Sequence, residues 1–206
     1  MADDPYADAH RHRLAWMPWL WDRRTERQRT WADPWQAAIQ QAIADVEQVQ
    51  FGDDVFVAPS AHLFAEPGRA VRIGDRCRIG AEVFVHGPVT LGDDTSLNPR
   101  CHLDGGRAGI RIGSGCRIAT GVRMFAFDHG MAPELPIHRQ PVRSRGIVVG
   151  EDCWIGAGAG VTDGVSLGAH VVVGMGAVVT RDVPDWAIVA GVPARVIGDR
   201  REPVTP

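Results

Sequence analysis

His129 stands in a stretch, AFDHGMAPELPIHRQPVRSRG (residues 126–146), that is unlike the sequence on either side of it. Imidazole gains and loses a proton near neutral pH, so a histidine held outside a core can take the proton of an attacking hydroxyl. Asp128 precedes it, and Glu134, Arg139, Gln140, Arg143 and Arg145 follow. Asp128 is a candidate both for orienting the ring and for binding an acceptor, although adjacent side chains in an extended loop usually point apart. All 22 basic residues are arginine, so any phosphate contact must use guanidinium forks or backbone N–H groups.

The stretch is conspicuous because the rest of the chain counts in sixes. An apolar residue returns at Phe51, Val57 and Leu63, then at Ile73, Ile79, Val85, Leu91, Leu97 and Leu103. It returns again at Ile112, Ile118 and Met124, and finally at Val149, Ile155, Val161, Leu167, Val173 and Val179. The next residue is Gly in nine of these eighteen hexads, and Asn98 or Asp104 in two more, which reads as a corner with left-handed or tight backbone. Four positions after most of these apolar residues stands a small or β-branched one. All four cysteines (Cys77, Cys101, Cys116 and Cys153) occupy this slot, which makes them core thiols rather than ligands or nucleophiles.

A period of six fits neither a helix nor a plain alternating strand. It fits a parallel β-helix, with a short strand on each of three faces per coil. Eighteen hexads make six coils, and at strand spacing the prism is about 29 Å tall. A sandwich of short strands predicts no fixed Gly after a fixed aliphatic residue. Inward side chains fill such a prism, so chemistry must be built outside it, and the loop 125–148 and the short insertion 104–109 are the places offered.

With this repeat, IGDRCRIGAEVFV and VGEDCWIGAGAGVTDGVSLGAHVVVGMGAVVTRDVP resemble the hexapeptide-repeat acyltransferases, in the branch of maltose/galactoside-type and polysaccharide O-acetyltransferases. The resemblance covers residues 51–198. It implies a left-handed prism, a homotrimer with active sites between subunits, and acetyl-CoA as co-substrate. It places the catalytic base at His129 and the acyl-site tryptophan at Trp154, within Trp-Ile-Gly, the indole N–H being a candidate oxyanion donor. Asn98 matches an acceptor-binding asparagine. Ala157, Gly174, Met175, Gly176, Thr180, Arg181 and Arg195 match the coenzyme A edge, with Met175 replacing the usual Ala and Arg181 the usual Lys. Bland readings stay open beside these: Trp154 packing an interface, and Asn98 merely tolerating a tight corner. His62, His86 and His102 are read as structural or acceptor-facing.

The expected activity is direct transfer of an acetyl group to a hydroxyl of a sugar or glycan, since every cysteine sits in a core slot and none is left for an acyl-enzyme. N-acetylation of an amino sugar and a non-catalytic scaffold are the alternatives. A zinc hydratase on the same fold needs histidines in a close pair, and His138 lies nine residues from His129, so no metal is expected. The formal charge of −3 and the pI near 6.2 give no reason to expect nucleic acid. No apolar run approaches 18 residues and no signal-peptide pattern is present, so a cytoplasmic protein is expected.

The ends differ from the repeat. Residues 1–50 hold five of the seven tryptophans and six arginines between Arg11 and Arg29. Asp33-Pro34 reads as an N-cap and first turn of a helix running to about Val49, with Trp35, Ala38, Ile39, Ala42, Ile43 and Val46 as its apolar face. That helix is expected to close the base of the prism (51–183), and residues 11–35 are candidates for peripheral membrane contact. By resemblance, residues 184–206 fold back on the prism and help hold the cofactor.

Overall fold

The computed structural model describes residues 5–202. The first four residues of the N-terminal segment and the last four of the C-terminal tail lie outside the described residues. The repeat forms a parallel β-helix of six coils. Its first face stacks Val49–Phe51, Val71–Ile73, Val89–Leu91, Ile110–Ile112, Ile147–Val149 and Ser166–Leu167. The second begins at Phe56–Val57 and rises through Arg117–Ile118 and Trp154–Ile155 to Val172–Val173. The third runs from His62–Phe64 through His102–Asp104 and Arg123–Phe125 to Val178–Val179. Registers are in step throughout, with Ile79 over Val57, Leu97 over Ile79 and Ile118 over Leu97.

Of the eighteen repeated apolar positions, seventeen are buried, and Phe51 at the base is half-buried. The cysteines are at most 2% exposed. Each thiol points to a carbonyl of the next coil: Cys77 to Gly92, Cys101 to Ala119, Cys116 to Gly150 and Cys153 to Gly168, at 3.1–3.2 Å. Burial pushes the Cys77 thiol up to about 11 and that of Cys101 up to about 12, so both stay protonated and inert at neutral pH.

The glycine slot has a different cause from the left-handed corner read in the sequence. None of the nine glycines, nor Asn98 or Asp104, has positive φ. At eight of the nine glycines a Cβ would strike the coil above: at Gly92 it would lie 2.5 Å from the amide of Ser114, and at Gly150 2.6 Å from that of Ala169. The left-handed residue comes two positions later, at Asp54, Arg76, Asp94, Gly115, Asp152 and His170 after the first face and at Glu82, Arg100, Gly121, Gly158 and Gly176 after the second. The third-to-first corner lacks this regular turn, and every insertion in the prism sits there.

At the base, α1 (Ala7–Trp16), a 3-10 turn (Pro18–Arg23) and α2 (Glu26–Ala44) cover the open end. The helix expected to be capped at Asp33 and to run to about Val49 is capped eight residues earlier, at Thr25, and ends five residues sooner, at Ala44. Thr25 and Gln28 form a reciprocal capping box that fixes the start upstream, and Pro34 lies exposed inside the helix. The buried face is turned accordingly: Ala32 and Gln36 point inward with Ile39 and Ile43 packed on the core, whereas Ala38, Ala42 and Val46 are exposed.

Gln36 caps the edge strand: its Oε1 accepts from Val57 N–H at 2.8 Å and its Nε2 donates to Val57 C=O at 3.0 Å. Gln40 Nε2 donates to Val55 C=O at 2.8 Å. Trp21 is buried against Phe56, and Trp16, Trp31 and Trp35 are half-buried, so the tryptophan-rich segment is mostly consumed in packing. Among the described residues no helix is long and apolar enough to cross a membrane.

At the top, Ala187–Gly191 pairs with Val172–Val173 and turns into Ala194–Asp199, adding an antiparallel hairpin to the second face. Arg200 reaches down to Asp152, and the Trp186 ring stacks on His170 at 3.9 Å.

Candidate active site

The chain leaves the third face after Phe125 and rejoins the first at Ile147, and the intervening loop has its own structure. Asp128–His129 pairs antiparallel with Val142–Arg143, placing His129 opposite Val142 and Asp128 opposite Arg143. Gln140 staples the loop from inside: its Oε1 accepts from Ala132 N–H at 2.9 Å and its Nε2 donates to the carbonyls of Ala132 and Leu135. At the root, the buried Asp163 carboxylate accepts from the amides of Arg145 and Gly146 at 2.8–3.0 Å. His129 is thus exposed on a braced platform. No hydrogen bond joins it to Asp128 among the described residues, as expected for neighbours on opposite sides of a strand.

His129 is also the last ring of a ladder that climbs the outside of the third face. His62, Phe64, Phe84, His102, Phe125, Phe127 and His129 follow one another with centroids 4.3–6.1 Å apart. Burial between Phe84 and Phe125 lowers the pKa of His102, with Asp104 opposing the shift. His86 stands beside the ladder between two carboxylates, Glu66 at 3.1 Å and Asp104 at 3.3 Å, and holds the Glu66 carboxyl below its usual range.

The other predicted residues lie elsewhere on the chain. Trp154 is on the second face, 55% exposed, between Arg117 below and Val172 above. Asn98 lines a 520 Å³ pocket on that face, and its carboxamide makes no hydrogen bond among the described residues. Ala157, Gly174, Met175 and Gly176 stack at the second-to-third corner, where Gly176 N–H donates to Ala157 C=O at 2.9 Å. Met175 is 82% exposed there, so it changes the surface of the expected cofactor edge and not the core. Gly174 N–H bonds Val189 C=O, which ties this corner to the hairpin carrying Arg195. Thr180 and Arg181, both exposed, follow the third face at the opposite corner. Within one chain, then, His129 and Asp128 are on one side of the prism, and Trp154, Asn98 and most of the cofactor candidates on another.

Comparison with known proteins agrees with the fold. Residues 70–97 and 146–181 match the family described as "Hexapeptide repeat of succinyl-transferase". Over 135 residues, 64% of this chain and 68% of the relative, the sequence is 38% identical to nodulation protein L of Rhizobium meliloti. The chain belongs to the hexapeptide-repeat acyltransferase family. It is 33% identical over 158 residues (71% of the chain) to a probable acetyltransferase of Mycobacterium tuberculosis, Rv3034c, and spans 50% of that protein. It is 27% identical over 150 residues (70% of the chain) to the galactoside O-acetyltransferase of Escherichia coli, spanning 64% of it. The match thus covers half to just under two thirds of these two relatives. Among solved structures it superposes on AntD, an N-acyltransferase from Bacillus cereus in complex with dTDP and 3-hydroxybutyryl-CoA, with a TM-score of 0.69 and 26% identity over 78% of this chain and 88% of that one.

For a hexapeptide-repeat acyltransferase, the wall opposite Asn98 is the part the sequence did not disclose. Trp19, Asp22 and Arg29 of the N-terminal segment close the pocket together with Arg78, Ser96 and Arg117 of the prism. Arg78 and Arg24 bind this segment to the first two coils: Arg78 of the second coil pairs with Asp22, and Arg24 pairs with Asp54 of the first at 2.7 Å and with Asp33 of its own segment at 2.5 Å. No repeat signal marks these residues, because their pairing spans up to 56 positions of sequence.

Proposed function

We propose that this protein transfers an acetyl group from acetyl-CoA to a hydroxyl of a sugar or glycan acceptor. The observation that carries the reading is His129, exposed on a braced hairpin outside a filled prism where the coil is interrupted. A base in that position can take the hydroxyl proton as the oxygen attacks the thioester carbonyl. The hydroxyl oxygen then bonds to carbon and coenzyme A thiol leaves with a proton, with no acyl-enzyme needed from the buried cysteines. Trp154 would line the acyl site, and Asn98 in its pocket would hold the acceptor.

These groups occupy different sides of one chain, so the complete site would form between two copies, in keeping with a homotrimer. The exposed apolar residues beside Trp154 on the upper second face, Met175, Val192, Val196 and Ile197, fit a surface covered by another copy. The Ala157–Gly176 corner with Arg195 from one copy, and Thr180 with Arg181 from another, would then grip coenzyme A. N-acylation of an amino sugar is the second reading, favoured by the likeness to AntD.

Thiol release from acetyl-CoA in the presence of sugars, amino sugars and glycan fragments tests the proposal. His129→Ala should lower kcat by about 10²–10⁴-fold while melting temperature is unchanged. Full activity in that variant would refute the mechanism. Alkaline lability of the product separates ester from amide.

A further inference from the structure

Two insertions at the third-to-first corner, 104–109 and 126–146, are locked together by one hydroxyl. Ser144 Oγ accepts from the amides of Arg107 at 2.9 Å and Ala108 at 2.8 Å, and donates to Ala126 C=O at 2.5 Å. Gly106 is required at the contact: its φ is +56°, and a Cβ would lie 2.4 Å from the Ala126 carbonyl oxygen. The lock fixes Arg107 and Arg143 on the walls of an open groove of 760 Å³ beside the hairpin that carries His129.

The groove is strongly biased in charge. Arg69, Arg107, Arg143 and Arg145 line it against one carboxylate, Asp104. Two of these arginines are already engaged: Arg69 donates to the carbonyls of Gly87 at 2.9 Å and Gly106 at 2.6 Å, and Arg145 is held by Asp163. Asp104 is answered by His86. The guanidiniums of Arg107 and Arg143 have no hydrogen-bond or ion-pair partner among the described residues. Phe127 and Val142 give the groove an apolar wall, and both adjoin His129, the first through its ring and the second across the hairpin.

We propose that this groove seats an oxyanion carried by the acceptor, a phosphate or carboxylate held by Arg107 and Arg143, so that the hydroxyl offered to His129 belongs to an acidic sugar or sugar phosphate. Guanidinium forks match the paired oxygens of such groups, and two forks with no internal partner are the groups a ligand can claim at least cost. The apolar wall suits the face of the attached ring. The proposal rests on the acetyltransferase reading only for the role of His129, because the anion seat is testable by binding alone.

Calorimetric titration of the full chain with glucose, glucose 1-phosphate and glucuronate provides the test. One or both acidic ligands should bind at least about tenfold tighter than glucose, with affinity falling as salt rises. The R107Q/R143Q variant should lose that advantage at an unchanged melting temperature. Preference for glucose 1-phosphate alone identifies phosphate as the group; preference for glucuronate alone or for both admits the carboxylate. Equal binding of all three, or an advantage that survives in R107Q/R143Q, overturns the proposal. Thiol release from acetyl-CoA with the same sugars judges the activity separately: turnover of glucose as fast as of its acidic counterparts would uphold acetyl transfer and reject the anion seat.

Discussion

His129 and Trp154 are on different sides of the same chain: His129 faces Val142 on a hairpin that leaves the third-to-first corner, and Trp154 stands between Arg117 and Val172 on the second face. If both act in one reaction, they must come from different copies. Chains carrying His129→Ala and chains carrying Trp154→Ala should each be impaired, and unfolding and refolding them together should restore activity. In a randomly mixed ring with one site per junction, about a quarter of the sites would be intact. No recovery on mixing, with oligomers confirmed by light scattering, would place both residues in one-chain sites or remove one from the chemistry.

The two classes of glycine should respond oppositely to substitution. Gly150→Ala forces a methyl to within 2.6 Å of backbone in the next coil and should cost about 1–3 kcal/mol. Gly121, at φ +71° with open space around its Cβ position, should accept Asn within about 0.5 kcal/mol. Denaturant unfolding of the two variants measures both. A neutral Gly150→Ala would show that neighbouring coils can spread, against the close approach described above.

The contrast explains what was legible in the sequence. Periodicity showed the six coils and the buried slots, because each coil repeats the same local demand and the pattern accumulates along the chain. The interruption holding His129 was visible as a failure of that pattern. The reason for the glycines was not visible, since close approach and positive φ both select glycine, and only coordinates separate them. The start of α2 was misread because Asp33-Pro34 is a stronger motif locally than Thr25…Gln28, yet the latter satisfies two amides reciprocally. The pocket at Asn98 was half legible: the asparagine falls in the repeat, while Trp19, Asp22 and Arg29 reach it through contacts that no period encodes.

Gln36 offers a test of how the open base is closed. It is 2% exposed and satisfies both the N–H and C=O of Val57, which has no strand below it. Gln36→Leu keeps the volume but leaves two buried backbone groups unpaired, at about 1–3 kcal/mol each. Gln41→Leu, on the exposed face of the same helix, should be nearly silent. A Gln36→Leu variant as stable as the parent would mean that water or another group replaces the cap.

His102 should make stability depend on pH. Desolvation lowers its folded pKa below the ordinary value of 6.5, so the unfolded chain takes up the proton more readily than the folded one. The favourable contribution is complete above pH 6.5 and is lost as the pH falls toward the folded pKa, where the ring between Phe84 and Phe125 must accept charge. Replacing the imidazole by a ring that cannot ionise should remove this limb. His102→Phe should therefore lose less stability than the parent between pH 7 and pH 5 in denaturant titrations. Asp152 and Asp199, whose pKa values are lowered by the His170 and Arg201 contacts, lose their contributions only below about pH 4, outside that window. An unchanged slope in His102→Phe would show that the His102 imidazole does not set the pH dependence in that range.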